Sequence, residues 1–333
     1  MSERVVANMT VKLGRGECGG HVTLFFAIVD KSEKIEEQGS LGAGLCLKDG
    51  VEAIARGEEG DFNLKINYLN GNGDDALYKE VMNLLLDEIP EIGNYSWELN
   101  IRISLPLSQG FAMSGAGAVA AASSFQRALG ISHEESRRRS YLIAHSVERI
   151  RSTGLGDITA LSAGGVERRL VAGAPYSGSL LDSGPGRAEG WFEEMPLILV
   201  WKAETGKHTS NYIDSTEWKE KITSSGKRAM EGINNEKWDK NSWSELIMSA
   251  EKFAIDSELI VDSGRKELLL ECKNIIKDCE LEENIIPLLC MLGQSIVIVP
   301  KNIDLLIFDI NKVCNKLHKN GFEVVKSGLS YNS

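Results

Sequence analysis

Residues 106–130, PLSQGFAMSGAGAVAAASSFQRALG, combine residue types that can hold an anion. Gly110, Gly115 and Gly117 allow the backbone to approach a ligand closely, and the helix that begins inside the run offers unpaired N–H groups and a positive dipole end. Ser114 adds a hydroxyl at the mouth. Ala116, Ala118, Ala120, Ala121 and Ala122 carry no bulk, so the helix can pack tightly beneath the loop. The same density of small residues suits a buried helix on a sheet, and the run alone leaves both readings open. It is neither a G-x-x-x-x-G-K-[ST] Walker loop nor a G-x-G-x-x-G dinucleotide fingerprint. Two acids follow. Glu148 shares a helical stripe with Tyr141 and Ala144, beside the apolar seam of Ile143, Val147 and Ile150, so it projects near the edge of a buried face, although most helical glutamates are solvated. Asp157 closes S-T-G-L-G-D, residues 152–157, at the start of a short helix, where an aspartate can also serve merely as an N-cap.

Positioning these groups takes strands and helices in a definite order. Residues 97–105 alternate, with Leu99, Ile101, Ile103 and Leu105 on one face, and feed directly into Pro106, giving the strand–loop–helix context a phosphate loop needs. Upstream, residues 5–13 read as a strand, 14–20 as a turn, 21–29 as a second strand and 30–38 as a charged loop. The glycine-rich 39–44, GSLGAG, reads either as special backbone or as a hairpin turn; a third strand at 64–69, a turn at 70–75 and a helix at 76–89 follow. Ser132 with Glu135 forms a capping box that opens a helix running to about residue 151. Composition shifts toward Gly, Pro and Ser between 170 and 190, which places a domain boundary there and divides the chain into 1–175 and 176–333. Beyond it come a strand at 197–201, helices between 210 and 279, a strand at 295–299, a helical seam of Ile303, Ile307, Ile310, Cys314 and Leu317 ended by Gly321, and a last strand at 322–325. This order predicts an α+β sandwich.

Composition narrows the classes of function. Lys and Arg number 37 against 48 Asp and Glu in 333 residues, a net charge of −11 that repels nucleic acid and anionic membrane. Arg137, Arg138 and Arg139 form the tightest basic run, and on a helix they point in different directions, as on a solvated face. Hydrophobic content of 42% and charged content of 26% are those of a folded globular chain. Six cysteines without a C-x-x-C pair, the lack of a signal peptide and the lack of an apolar run near 18 residues give the expectation of free thiols, no membrane and a cytoplasmic protein.

Pro106, Gly110 and Ser114 in P-x-x-x-G-x-x-x-S, the helical Glu148 and the T-G-L-G-D ending at Asp157 together resemble the GHMP small-molecule kinases, in order over most of the chain. The resemblance implies a two-domain fold, with a ribosomal-protein S5 domain 2-like N-terminal half that binds ATP and a ferredoxin-like C-terminal half. It implies that Pro106, Gly110, Ser114, Gly115, Ala116 and Gly117 hold the nucleotide, that Ser114 and Glu148 ligate Mg²⁺, and that Asp157 is the catalytic acid/base. Phosphoryl transfer asks for these groups: a hard cation on oxygen ligands and a carboxylate for the acceptor proton. Two departures stand out. The family's Ala-Pro-Gly-Lys is replaced by Cys18-Gly19-Gly20-His21, and its third glycine-rich motif is reduced to Met291-Leu292-Gly293-Gln294-Ser295. H-x-T-x-F-F (His21, Thr23, Phe25, Phe26), residues 39–44, T-G-L-G-D and G-G-x-x-x-R (Gly164, Gly165, Arg169) are similar to the archaeal branch whose acceptor is pantoate. On that likeness the acceptor contacts are His21, Thr23, Arg151, Thr153 and Arg169, with His21 favoured as the clamp on the acceptor carboxylate because it stands where the family lysine would be. Another alcohol (homoserine, mevalonate or shikimate) or a non-catalytic nucleotide-binding protein are the alternatives. The expected partners are a small molecule and a second copy of the chain.

Overall fold

The structure is a computed structural model and describes residues 11–203, 210–234, 236–261, 264–306 and 309–331. A long antiparallel ribbon, β1 (Val11–Val29) on β2 (Gly39–Glu59), organises the first half. β3 (Asn63–Tyr68), β4 (Tyr95–Ile103) and β5 (Val166–Val171) extend it; after a short hairpin of β6 (Tyr176–Ser177) and β7 (Asp182–Ser183), β8 (Arg187–Trp191) adds to the far edge. The strand order is β3-β4-β2-β5-β8, with β1 also on β2, and β3–β4 is the parallel pair. Four helices serve this sheet: α1 (Asp75–Glu88), α2 (Met113–Ala128), α3 (His133–Ile150) and α4 (Asp157–Ala163). The expected capping box forms by half: Ser132 Oγ accepts from the Glu135 N–H at 3.3 Å, while the Glu135 carboxylate takes a 2.9 Å bond from Arg139 Nη2.

Three expectations change. The turn at 14–20 is part of one continuous strand; the residues before Val11 in the expected first strand, Val5 among them, lie outside the described residues. Its glycines serve packing: a Cβ on Gly14 or Gly16 would lie 2.1 Å from Ser124 O or 2.0 Å from Ala120 O, so their absence of side chain lets α2 rest on the ribbon. Residues 39–44 likewise form the start of β2. The Gly/Pro/Ser-rich stretch carries β6 to β8, and β8 returns to the first sheet, so the second sheet starts only at Pro196.

That second half runs β9 (Pro196–Trp201), α5 (Ser210–Ile213), α6 (Thr216–Glu231), α7 (Trp243–Asp256), α8 (Arg265–Asp278), β10 (Ile285–Leu289), β11 (Ser295–Pro300), α9 (Ile310–Lys319) and β12 (Glu323–Gly328). Its antiparallel order, β10-β11-β9-β12, is ferredoxin-like. β10 was hidden in the sequence by Pro287, which the sheet accommodates because β10 is an edge strand. The expected seam starts later, with α9 at Ile310; Ile303 is buried in the preceding loop and Ile307 lies outside the described residues. The two sheets are joined closely at the site: a Cβ on Gly226 of α6 would sit 2.0 Å from Phe26 O of β1, and Met291 N donates to Thr23 O at 2.9 Å.

Candidate active site

The loop between β4 and α2 ends in two left-handed residues, Gly110 (φ 80°) and Ala112 (φ 54°), the second of which is the N-cap of α2. Ala112 has no side chain with which to cap, so the N–H groups of Met113 and Ser114, two residues of the cavity wall, have no intrahelical partners. A non-glycine residue held at positive φ costs energy that the surroundings must offset. Here the reduced third motif supplies support. A Cβ on Gly293 would lie 2.0 Å from Gln109 O, Ser295 Oγ donates to that same carbonyl, and buried Arg265 of α8 donates to the carbonyls of Leu292 (2.6 Å) and Gly293 (2.9 Å). Gly293 therefore braces the β4–α2 loop from behind.

The loop, the 151–157 turn and the start of β2 enclose a cavity of about 440 Å³. Gly110, Ser114, Thr23, Arg151, Thr153, Asp157 and Arg169 line it, as does Ser40. Pro106, Gly115, Ala116 and Gly117 do not. Gly117 gives way to the Tyr78 hydroxyl, which would be 2.7 Å from a Cβ there, and Gly115 makes room for Glu148, whose Oε1 would be 3.1 Å from one.

Glu148 is 2% exposed and accepts a 2.9 Å hydrogen bond from Ser114 Oγ on Oε1, while its buried Oε2 has no hydrogen-bond partner among the described residues. Burial, reinforced by the charge of nearby Asp157, pushes its carboxyl up to about 8, against the opposing effects of Ser114, Arg149 and His21. An unpartnered buried carboxylate oxygen beside a hydroxyl fits a hard divalent cation, and Mg²⁺ commonly takes one or two protein oxygens and fills its shell with water and phosphate. Among the described residues no cluster of three or more His, Cys, Asp or Glu could hold a metal.

Asp157 is the first residue of α4, after the N-cap Gly156, so its carboxylate is not the cap. Its Oδ1 takes bonds from His21 Nδ1 at 2.7 Å and Thr23 Oγ1 at 3.3 Å. Oδ2 has no hydrogen-bond partner among the described residues, and the side chain, 20% exposed, opens on the cavity. Burial opposes its ionisation, yet the hydrogen bond and charge of His21, with Arg169 and Thr23, hold the carboxyl below the usual aspartate value. Arg149 fixes the turn that delivers Asp157, donating to Gly154 O at 3.0 Å and to Gln38 Oε1 at 3.1 Å.

His21 is not placed as a clamp. It is fully buried, and its second nitrogen, Nε2, lies 3.0 Å from Glu167 Oε1, so neither ring nitrogen is free for an acceptor. The reason is β-strand alternation and the two acids that flank the ring. Arg169 replaces it on the cavity wall, its Nη1 donating to Ser40 Oγ at 3.0 Å. Arg151 lies at the mouth, paired with Asp74 at 2.5 Å, and Thr153 Oγ1 is buried in the wall without a partner. Ser40, Asp74 and Glu167 escaped sequence reasoning, although Ser40 sits inside G-S-L-G-A-G and Glu167 inside the G-G-x-x-x-R spacing.

The open helix N-terminus, the Ser114 hydroxyl backed by Glu148, and Asp157 meet at one cavity, and the fold that carries them, a first sheet joined to a ferredoxin-like second one, is the fold of the GHMP small-molecule kinases. No protein-family model matches the chain. It is similar to the pantoate kinase of Thermococcus kodakarensis, 27% identical over 65% of this chain and 68% of that one. The pantoate kinase of Methanospirillum hungatei is 30% identical over 47% of this chain and 52% of its own. A solved structure described as a phosphotransferase related to the CoA biosynthesis pathway superposes with a TM-score of 0.74 at 22% identity, covering 96% of this chain and 97% of that one. More distant fold neighbours include mevalonate diphosphate decarboxylase and mevalonate kinase.

Proposed function

We propose that the chain transfers the γ-phosphoryl group of ATP to a hydroxyl of pantoate, forming 4-phosphopantoate and ADP on the route to coenzyme A. The observation that carries this reading is the pairing of Ser114 Oγ with Glu148 Oε1 at 2.9 Å beneath the uncapped N-terminus of α2, with Asp157 lining the same cavity. The likeness to two pantoate kinases supports the choice of acceptor.

In this mechanism the N–H groups of Met113 and Ser114 hold phosphate oxygens, as helix N-termini do. Ser114 Oγ and Glu148 Oε2 would hold Mg²⁺, which supplies neutralisation of phosphate charge when bound. Arg169, with Ser40, binds the acceptor carboxylate, a role suited to a guanidinium fork. Asp157 Oδ2 receives the acceptor hydroxyl proton as the new O–P bond forms and the bond to the ADP oxygen breaks. Ionised Asp157 is ready for this at neutral pH, and a loose transition state asks little of its basicity.

The test is ADP release with Mg²⁺ and ATP across pantoate, homoserine, mevalonate and shikimate. Pantoate should give the highest kcat/KM; a better response to another alcohol moves the acceptor, and ATP binding with no response to any of the four returns the chain to the non-catalytic reading. Two further parts of the reading are a cytoplasmic setting, supported by six unpaired cysteines, and a homodimer, which sedimentation equilibrium would check. No helix among the described residues is long and apolar enough to cross a membrane.

A further inference from the structure

Behind Asp157 the structure places a line of buried charged groups drawn from separate elements. His21 of β1 bridges Asp157 Oδ1 of α4 through Nδ1 (2.7 Å) and Glu167 Oε1 of β5 through Nε2 (3.0 Å). Glu167 is wholly buried, and its other oxygen, Oε2, accepts no hydrogen bond but lies 3.4 Å from Arg169 Nε. An ionised carboxylate only accepts, so with both acids charged each ring nitrogen must donate, and only the doubly protonated imidazolium does that. With both acids ionised, the charges alternate inward from the cavity along Asp157, His21, Glu167 and Arg169.

The surrounding backbone is shaped for this ring. Gly44 of β2 stands opposite Glu167 in the β2–β5 register, and a Cβ on Gly44 would come 2.5 Å from His21 Nε2. Any side chain there would intrude on the ring–Glu167 contact. The remaining charged or titratable groups that act on the set are Glu148 of α3, Cys46 of β2 and, through Cys46, Cys18 of β1, and burial pushes both thiols upward, toward the neutral form. Stability alone is a weak reason for such a line, because desolvating several charges commonly costs more than apolar replacements would.

We propose that Glu167 is a positioning residue for phosphoryl transfer: it keeps His21 doubly protonated with Nδ1 on Asp157 Oδ1, and so leaves Oδ2 of Asp157 for the acceptor hydroxyl. The inference rests on the reading of Asp157 as proton acceptor and deepens it. His21 thereby takes the place of the family lysine as the cation beside the catalytic carboxylate, but as a ring held from both sides.

The experiment is ¹⁵N NMR of histidine-labelled full-length protein near neutral pH, with the His21 signals identified by their loss in His21→Asn, together with steady-state kinetics. In the wild type both His21 nitrogens should carry protons; a neutral ring overturns the proposal, and this readout needs no variant of Glu167. Glu167→Gln should render the ring neutral, lower kcat about 10- to 100-fold, the size of effect known for partners that orient ligands from the outer shell, and leave KM for ATP within about threefold of the wild type. Glu167→Asp should restore part of kcat and the doubly protonated ring. Unchanged kcat in Glu167→Gln, or reduced kcat with the ring still doubly protonated, would overturn the assignment. Because the ring is read without substrate, a wild type that ignores pantoate counts against the acceptor, not against this arrangement.

Discussion

Asp157 lines the cavity and Glu148 lies buried behind Ser114 at its wall, and the surroundings of the two acids push them in opposite directions. Asp157 meets its countercharge inside the protein: His21 donates to Oδ1 at 2.7 Å and holds the carboxyl low. Glu148 has a hydroxyl on one oxygen and no hydrogen-bond partner among the described residues on the other, and burial drives its carboxyl up to about 8. One acid is paired within the protein; the other is not. A carboxylate that is to take up the acceptor proton must be ionised when the transfer begins, whereas a metal-binding carboxylate gains by being poor in cations of its own.

Substitutions at the two acids sharpen that contrast. Asp157→Asn should lower kcat by about 10²- to 10⁴-fold, the usual worth of a positioned proton acceptor, with ATP affinity retained in a nucleotide-binding titration. Glu148→Gln should raise the Mg²⁺ concentration needed for half-maximal rate by at least about tenfold, on the order expected for disturbing a metal's ligand set. It should also stabilise the metal-free protein, by about 1–3 kcal/mol in denaturant unfolding near pH 8, because a buried charge is replaced by a neutral amide that can still accept from Ser114. Equal effects of the two amides on Mg²⁺ dependence would erase the distinction. Arg169→Gln should raise KM for the acceptor about 10- to 100-fold, the worth of a charge-assisted pair, with KM for ATP little changed.

The smallest effect concerns a buried group outside this pair. His145 on α3 is buried beside Ile35 O, with Nε2 3.2 Å away, and burial lowers its pKa to about 4. Between the ordinary histidine value and about 4 the unfolded chain binds a proton that the folded chain refuses, so stability falls as pH falls through that window. Relative to His145→Gln, the wild type should lose about 3 kcal/mol between pH 7 and pH 4, from the two to three units of separation. Parallel pH curves for the two proteins would contradict it.

The strand–loop–helix was legible because its parts are local: residues 97–114 pass from an alternating strand through glycines into an alanine-rich helix, and each signal lies within a few residues of the next. The placement of Glu148 beside a buried face and of Asp157 at the start of α4 was legible through helical phase and the T-G-L-G-D turn. The strand at 14–20 was not, since its glycines read as a turn until α2 is seen resting on them with Ser124 O and Ala120 O in the space of a Cβ. His21 was misjudged for a similar reason. Its role depends on Glu167, 146 residues away, and no local pattern announces that pairing. Gly293 also needed the tertiary fold, because what it touches is the backbone of Gln109 and Gly110.

Phosphorus NMR of one reaction mixture tests the central claim most directly. With protein, Mg²⁺, ATP and pantoate, ADP and a new phosphomonoester should accumulate in equal amounts, and neither should form beyond background with Asp157→Asn. Bound ATP that yields no phosphomonoester in the wild type, or a phosphomonoester formed as fast by Asp157→Asn, would contradict the account.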